Sequence, residues 1–193
     1  MKRSEINEAI AEASLAFSRH HWHLPPEPRW DVTGFGLGDF EKYGLILVNL
    51  AELPQYCEKL MYARGNQKTP NHTHKSKQED IICRNGTLAM QLFASDEKGE
   101  CTTDSSIPVQ LLRNGKEVEY PSGTVVYLKA GERVTLKSGV YHEFWPLGDY
   151  AVIGEVSTYN DDATDNYFVD KRVGRFEHLE EDVPPIYKLV SDS

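Results

Sequence analysis

The feature that most restricts this chain is a train of short β-prone runs, at 44–50, 57–63, 69–74, 79–84, 87–94, 107–112, 124–129, 133–137, 140–145 and 150–157, separated by turn residues. Runs of this length and spacing can bury apolar faces only by stacking on one another, so they predict an all-β sandwich or barrel. Asn85-Gly86 and Asn114-Gly115 read as tight hairpins, because both central positions of a type I′ turn need positive φ. Ahead of the strands, Ile6, Ala9, Ile10, Ala13, Ala16 and Phe17 recur at helical intervals, predicting a helix over 4–20 with Ser4 as its cap. Pro25, Pro26 and Pro28 forbid its continuation, and Thr33-Gly34-Phe35-Gly36-Leu37-Gly38 reads as a loop riding over the domain. Residues 1–42 are thus expected to form a helix-plus-loop extension packing on the strands, within a single domain that takes in all 193 residues. The acidic, proline-bearing tail reads as irregular.

Composition narrows the partners. A formal charge of −9 with scattered Lys and Arg argues against nucleic acid, whose binding needs clustered cations that release counterions. No stretch approaches twenty uninterrupted apolar residues, so no membrane span is expected. Cys57, Cys83 and Cys101 cannot all pair and show no CxxC spacing, and the N-terminus lacks a secretory pattern. These signs point to a reducing compartment, the cytoplasm.

The chemistry concentrates at His72-Thr73-His74 and Glu79. On a strand, side chains alternate faces, so the two histidines project to one side about 7 Å apart, close enough to share an ion. Glu79 lies an odd number of positions from His74, so Lys75 to Gln78 must turn the chain and return the glutamate on the neighbouring strand. Gly139-Val140-Tyr141-His142 supplies a third imidazole, on the same face as Phe144. His20, His21 and His23, beside Pro25 at a helix end, are better explained by terminal carbonyls. His178 reads as solvated.

The two segments resemble the paired signatures of the cupin superfamily, G(x)5HxH(x)4E(x)6G and G(x)5PxG(x)2H. Here six residues separate Gly65 from His72, and Lys137 stands at the proline position, so no ligand is altered. The resemblance implies a jelly-roll, double-stranded β-helix barrel holding one divalent metal on His72, His74, Glu79 and His142. Such a donor set suits Mn, Fe, Co, Ni or Zn. Four protein ligands on an octahedral ion leave two positions, enough for a carbonyl and its α-hydroxyl. An iron dioxygenase, which needs three open positions, fits less well.

Longer strings are similar to the D-lyxose ketol-isomerase family of cupins: Met1-Lys2-Arg3-Ser4-Glu5-Ile6-Asn7, Glu58-Lys59, Pro70-x-His72-x-His74-x-x-Lys77-x-Glu79-Asp80-Ile81-Ile82, Gly139-x-Tyr141-His142-x-Phe144-Trp145, Gly154-Glu155-Val156-Ser157, Asn160-Asp161-Asp162 and Asp165-Asn166. Lys75 stands where that family usually has an aromatic, which bears on sugar preference. The resemblance implies interconversion of unphosphorylated D-lyxose and D-xylulose, and of D-mannose and D-fructose, with Mn²⁺ or a similar ion, by proton transfer through an enediol held on the ion. A homodimer is expected. Candidates for the base are Glu155, Asp165 and Lys59. Glu155 stands out as a charge in an otherwise apolar run, either as base or as an ion-pair partner of Lys59, since buried charges are usually paired. Lys59 would protonate or orient a substrate oxygen, or else merely snorkel at a strand end. Asp165 and Lys77 would bind sugar hydroxyls or, equally, be solvated loop residues. Alternatives from other classes are a phosphosugar isomerase, the dioxygenase and a non-catalytic sugar-binding cupin. The phosphosugar reading would want clustered cations near the motifs, and no Arg-rich string is there.

Overall fold

The computed structural model describes residues 1–159, 164–174 and 178–192. One helix, α1 (Arg3–Arg19), precedes twelve strands. They are β1 (Arg29–Thr33), β2 (Leu45–Glu52), β3 (Cys57–Arg64), β4 (His72–His74), β5 (Glu79–Ser95), β6 (Cys101–Thr102), β7 (Pro108–Arg113), β8 (Lys116–Pro121), β9 (Val125–Lys129), β10 (Arg133–Leu136), β11 (Tyr141–Ser157) and β12 (Asn166–Phe168).

All these pairings are antiparallel. One path runs β1-β2-β3-β11-β5-β10-β7-β8, while β4 joins β11 and β12, and β9 and β6 join β5. The central pair is β5 with β11. The far half of β5 pairs with the near half of β11, and the near half of β5 with residues 152–157. Both strands therefore pass from one wall of the barrel to the other. Between the walls sits an apolar core that includes Met61, Ile81, Leu88, Met90, Leu128, Val134, Phe144 and Ile153.

The strand count differs from the sequence reading for physical reasons. Asn85-Gly86 does not turn the chain back: β5 continues through it, and the register with β11 shifts between Leu147 and Val152 and again at Ile153. The positive φ of Gly86, +84°, serves this kink, and a Cβ there would lie 2.9 Å from the Tyr150 carbonyl oxygen. Gly65 closes on the same stretch of β11. It donates its N–H to the Asp149 carbonyl at 2.7 Å, and a Cβ on it would collide with the Gly148 carbonyl oxygen. The two glycines of the first motif thus let the backbone approach the bend. Asn114-Gly115, by contrast, is the expected hairpin, joining β7 to β8 with φ of 52° and 78°. The extension also contains a strand, β1, which pairs with β2 just after the prolines.

The helix buries the predicted stripe, Ile6, Ala9, Ile10, Ala13, Ala16 and Phe17. The three alanines allow close approach, and Phe17 stacks on Trp30 at 6.2 Å. Together with Val48, Leu60 and Val152 they form a second core on the outer side of β1–β3, where each large side chain contributes about 1.5–3 kcal/mol. Lys2, not Ser4, is the N-cap residue: the Glu5 carboxylate accepts the Lys2 N–H at 2.7 Å. Ser4 lies inside the helix and donates its hydroxyl to Asp182. At the other end His21, at φ 61°, takes the left-handed position that glycine usually fills. Its N–H reaches the Ser18 carbonyl at 3.1 Å and that of Trp22 the Phe17 carbonyl at 2.9 Å, satisfying the last carbonyls.

Candidate metal centre

Three strands deliver the candidate ligands. β4 carries His72 and His74 on one face, and β11 brings His142 directly opposite His72. Glu79 opens β5. It reaches the imidazoles across the end of the barrel, because β5 pairs with β11 and not with β4. One donor atom from each of the four residues lies within 4.8 Å of the others. The Glu79 Oε1 atom stands 3.2 Å from His74 Nε2 and 3.0 Å from His142 Nε2.

Three of these atoms are buried without hydrogen-bond partners among the described residues: His74 Nε2, Glu79 Oε1 and His142 Nε2. A buried polar atom left unpaired costs about 1–3 kcal/mol, so three converging on one point are a cavity for a ligand that accepts lone pairs. Their spacing fits a cation. Neighbouring ligands about 2.1 Å from an ion at right angles are about 3.0 Å apart. The outer ring nitrogens are aimed accordingly. His72 Nδ1 meets the Pro70 carbonyl at 2.9 Å, His142 Nδ1 the Val140 carbonyl at 3.3 Å, and His74 Nδ1 approaches Asp165 Oδ2 at 3.6 Å. The Pro70 and Val140 carbonyls favour Nδ1–H on His72 and His142 and leave Nε2 as the lone-pair donor, whereas His74 Nδ1 has no hydrogen-bond partner among the described residues. The residues present fit a divalent ion.

The electrostatics agree. Burial pushes the His72 imidazole well below its ordinary pKa, and His142 and His74 add to this, keeping it neutral and able to ligate. For Glu79, burial alone would raise the pKa, but the Lys77 ammonium, then His74 and His142, hold its carboxyl well below the usual range. Beyond it runs a chain of alternating buried charges. Lys77 Nζ is 2.8 Å from Glu79 and 3.1 Å from Glu155, and Lys59 Nζ is 3.2 Å from Glu155. The register explains the last contact, since Lys59 lies opposite Glu155 across β3 and β11. Burial opposes ionisation of Glu155 too, but Lys59 and Lys77 outweigh it together and its pKa is lowered.

The four candidate ligands, Glu155, Lys59, Lys77 and Asp165 are therefore at or beside one site. Glu155 is both paired with Lys59 and bridged to the candidate ligand Glu79 by Lys77. Lys77 and Asp165 are not solvated loop residues, being only 4% and 6% exposed. Asp165 Oδ1 accepts the Ser76 N–H and hydroxyl at 2.8 and 2.6 Å, and Oδ2 the Lys77 N–H at 3.2 Å. It thereby pins the turn between His74 and Glu79. Lys77 belongs to that turn, between β4 and β5, so strand alternation gives no sign of its bridging position. Lys75 is exposed. Asn160, Asp161 and Asp162 lie outside the described residues.

Comparison with known proteins decides the lineage. Residues 27–193 match the family model described as D-lyxose isomerase. The chain belongs to the D-lyxose isomerase family. It is 35% identical over 218 residues to the D-lyxose/D-mannose isomerase of Escherichia coli O157:H7, covering 95% of this chain and 94% of that one. To the D-lyxose ketol-isomerase of Cohnella laeviribosi it is 27% identical, covering 94% of this chain and 100% of the relative. Among solved structures, the ligand-free L-ribose isomerase of Cellulomonas parahominis superposes with a TM-score of 0.65 at 19% identity, over 90% of this chain and 94% of that one. The fold is accordingly a cupin barrel with an N-terminal helix, and this D-lyxose isomerase family member is an isomerase. No helix among the described residues is long and apolar enough to cross a membrane.

Proposed function

We propose that this protein interconverts unphosphorylated aldoses and ketoses, D-lyxose with D-xylulose and D-mannose with D-fructose, using one Mn²⁺ held by His72, His74, Glu79 and His142. The observation that carries the reading is the set of three unpartnered buried donor atoms a single lysine away from an ionised buried carboxylate, Glu155. The relatives' names, D-lyxose/D-mannose isomerase among them, support the choice of sugars. A divalent ion in that cradle would supply an electrophile that stabilises negative charge on the adjacent oxygens of an α-hydroxy carbonyl.

The chain's own residues do the rest. Glu155, ionised in place, takes the proton from C2 of the open-chain aldose and returns it to C1, while the O2 hydroxyl proton passes to O1. Lys59 holds that carboxylate from β3 and fixes its orientation. Lys77 keeps both Glu79 and Glu155 charged and can turn its ammonium toward a sugar oxygen by releasing one of its two carboxylates. Asp165 holds the turn that carries Lys77 and faces the outer nitrogen of His74. Both buried lysines are in ion pairs with site carboxylates, which favours neutral sugars over sugar phosphates. The same reading takes a homodimer as the assembly and the cytoplasm as the compartment.

The test is an assay of pentoses and hexoses on metal-stripped protein reconstituted ion by ion. Aldose-to-ketose turnover should return with Mn²⁺, and mannose should be preferred to mannose 6-phosphate. Absence of turnover with every divalent ion would overturn the reading.

A further inference from the structure

The strand β12 has no part in the proton transfer, yet its register sets it beside the site. Residues directly opposite in an antiparallel pair project to the same face. Asn166 lies opposite His74 and Phe168 opposite His72, so both side chains stand on the imidazole-bearing face of β4. The Phe168 ring is 5.3 Å from the His72 ring, tilted by 30°. Unlike the buried Asp165 beside them, Asn166 and Phe168 are partly exposed.

A third residue fixes this wall. Phe35 is in the left-handed region at φ 56°, which a bulky side chain rarely adopts and which persists only where the surroundings impose it. Its N–H donates to Thr33 Oγ1 and its carbonyl accepts the Gly174 N–H, both at 2.9 Å. The result is a Phe35 ring set edge-on to Phe168 at 6.3 Å. The glycine-rich loop thus packs Phe35 between the barrel core and Phe168, and Gly36 passes so close to Gly174 that a Cβ would meet its oxygen at 3.0 Å.

We propose that Asn166 and Phe168 form the sugar-recognising wall of the site, with Phe35 as the residue that positions Phe168. The ring packs against the C–H face of an extended polyhydroxylated chain, and the Asn166 amide, with donors and an acceptor, pairs with its hydroxyls. This deepens the isomerase reading and rests on it for the identity of the ligand.

The experiment compares Phe168→Ala and Asn166→Ala in Mn²⁺-loaded protein. KM for D-lyxose should rise about tenfold in each, the effect of one lost neutral contact, with kcat changed about threefold or less. Binding of D-arabinitol, a polyol that cannot isomerise, should weaken in parallel by calorimetry. Mn²⁺ affinity of the stripped proteins should stay within about threefold of the parent. Unchanged KM and polyol affinity would overturn the wall, as would a loss of Mn²⁺ affinity matching the loss of turnover, which would make the ring a support for His72. Parent protein that binds the polyol but turns over no sugar would sink the isomerase reading and leave the wall to be judged by the polyol. Asn166→Ala, at a partly exposed position, decides the matter if Phe168→Ala does not fold.

Discussion

Two regions of this molecule bury charge, and they do so in opposite ways. Where α1 meets the C-terminal segment, Arg3 is 2% exposed, yet its guanidinium makes four hydrogen bonds, two to Glu181 and two to Asp192. Around it the Glu180 carbonyl accepts the Arg3 N–H, Asp182 takes Ser4, and Asn7 bonds Pro184 and Ile186. At the barrel end, three buried donor atoms have no such partner. A clasp that is complete in itself holds chain to chain. A cluster that is complete in charge but not in hydrogen bonds is shaped for something else.

The comparison breaks most readily at the ligands. Glu79→Gln should abolish tight Mn²⁺ binding, a loss beyond the 10–100-fold typical of outer partners, and turnover with it, read by metal content and sugar assay. If the variant keeps its metal, the barrel-end cluster is as self-sufficient as the clasp. Glu155→Gln should lower kcat by about 10²–10⁴-fold while the metal stays, which separates base from ligand. Unchanged turnover would return Glu155 to the role of ion-pair partner.

These effects were foreseeable in unequal measure. The clustering of His72, His74, Glu79 and His142 could be read directly, because the two spaced motifs together bring all four to neighbouring strands. The helix stripe and the Asn114-Gly115 hairpin were equally legible. Asn85-Gly86 was not, since positive φ at a glycine serves a kink as well as a reversal, and only the pairing of β5 with β11 decides which. β1, β8 and β12 escaped for a related reason. All three are short, β8 is mostly exposed, and β12 pairs with β4, a partner distant in sequence. Asp165 looked like loop because its work, capping the Ser76–Lys77 turn, depends on contacts no local pattern records.

Smaller effects sharpen the contrast. Asp165→Asn should weaken Mn²⁺ affinity by about 10–100-fold through His74 and its turn, measured by titration of stripped protein. Arg3→Met should cost about 1–3 kcal/mol in chemical denaturation and leave Mn²⁺ affinity unchanged. The figure stays below that of a fully buried pair because Glu181 remains half exposed. Arg3 holds both Glu181 and Asp192 below the ordinary carboxylate range. Their contribution is therefore present above about pH 5 and lost as pH falls through the lowered folded values, so the variant should show a flatter acid limb. Least of all, Thr73→Val should leave stability unchanged or raise it by up to about 1 kcal/mol. The hydroxyl is buried without a partner among the described residues, on the face of β4 away from the imidazoles and opposite Tyr167 of β12.

The long pairing of β5 with β11 has a consequence for how the protein is made. His72, His74 and Glu79 are near neighbours in the chain, but His142 reaches them only once β11 has found β4 and β5, a contact between distant segments that closes late and slowly. A nascent chain can offer an ion two imidazoles and a carboxylate, and never the full set. Occupancy of the site then reports completed folding, and free Mn²⁺ should raise the melting temperature in proportion to the logarithm of its concentration, as a ligand of the native state alone must.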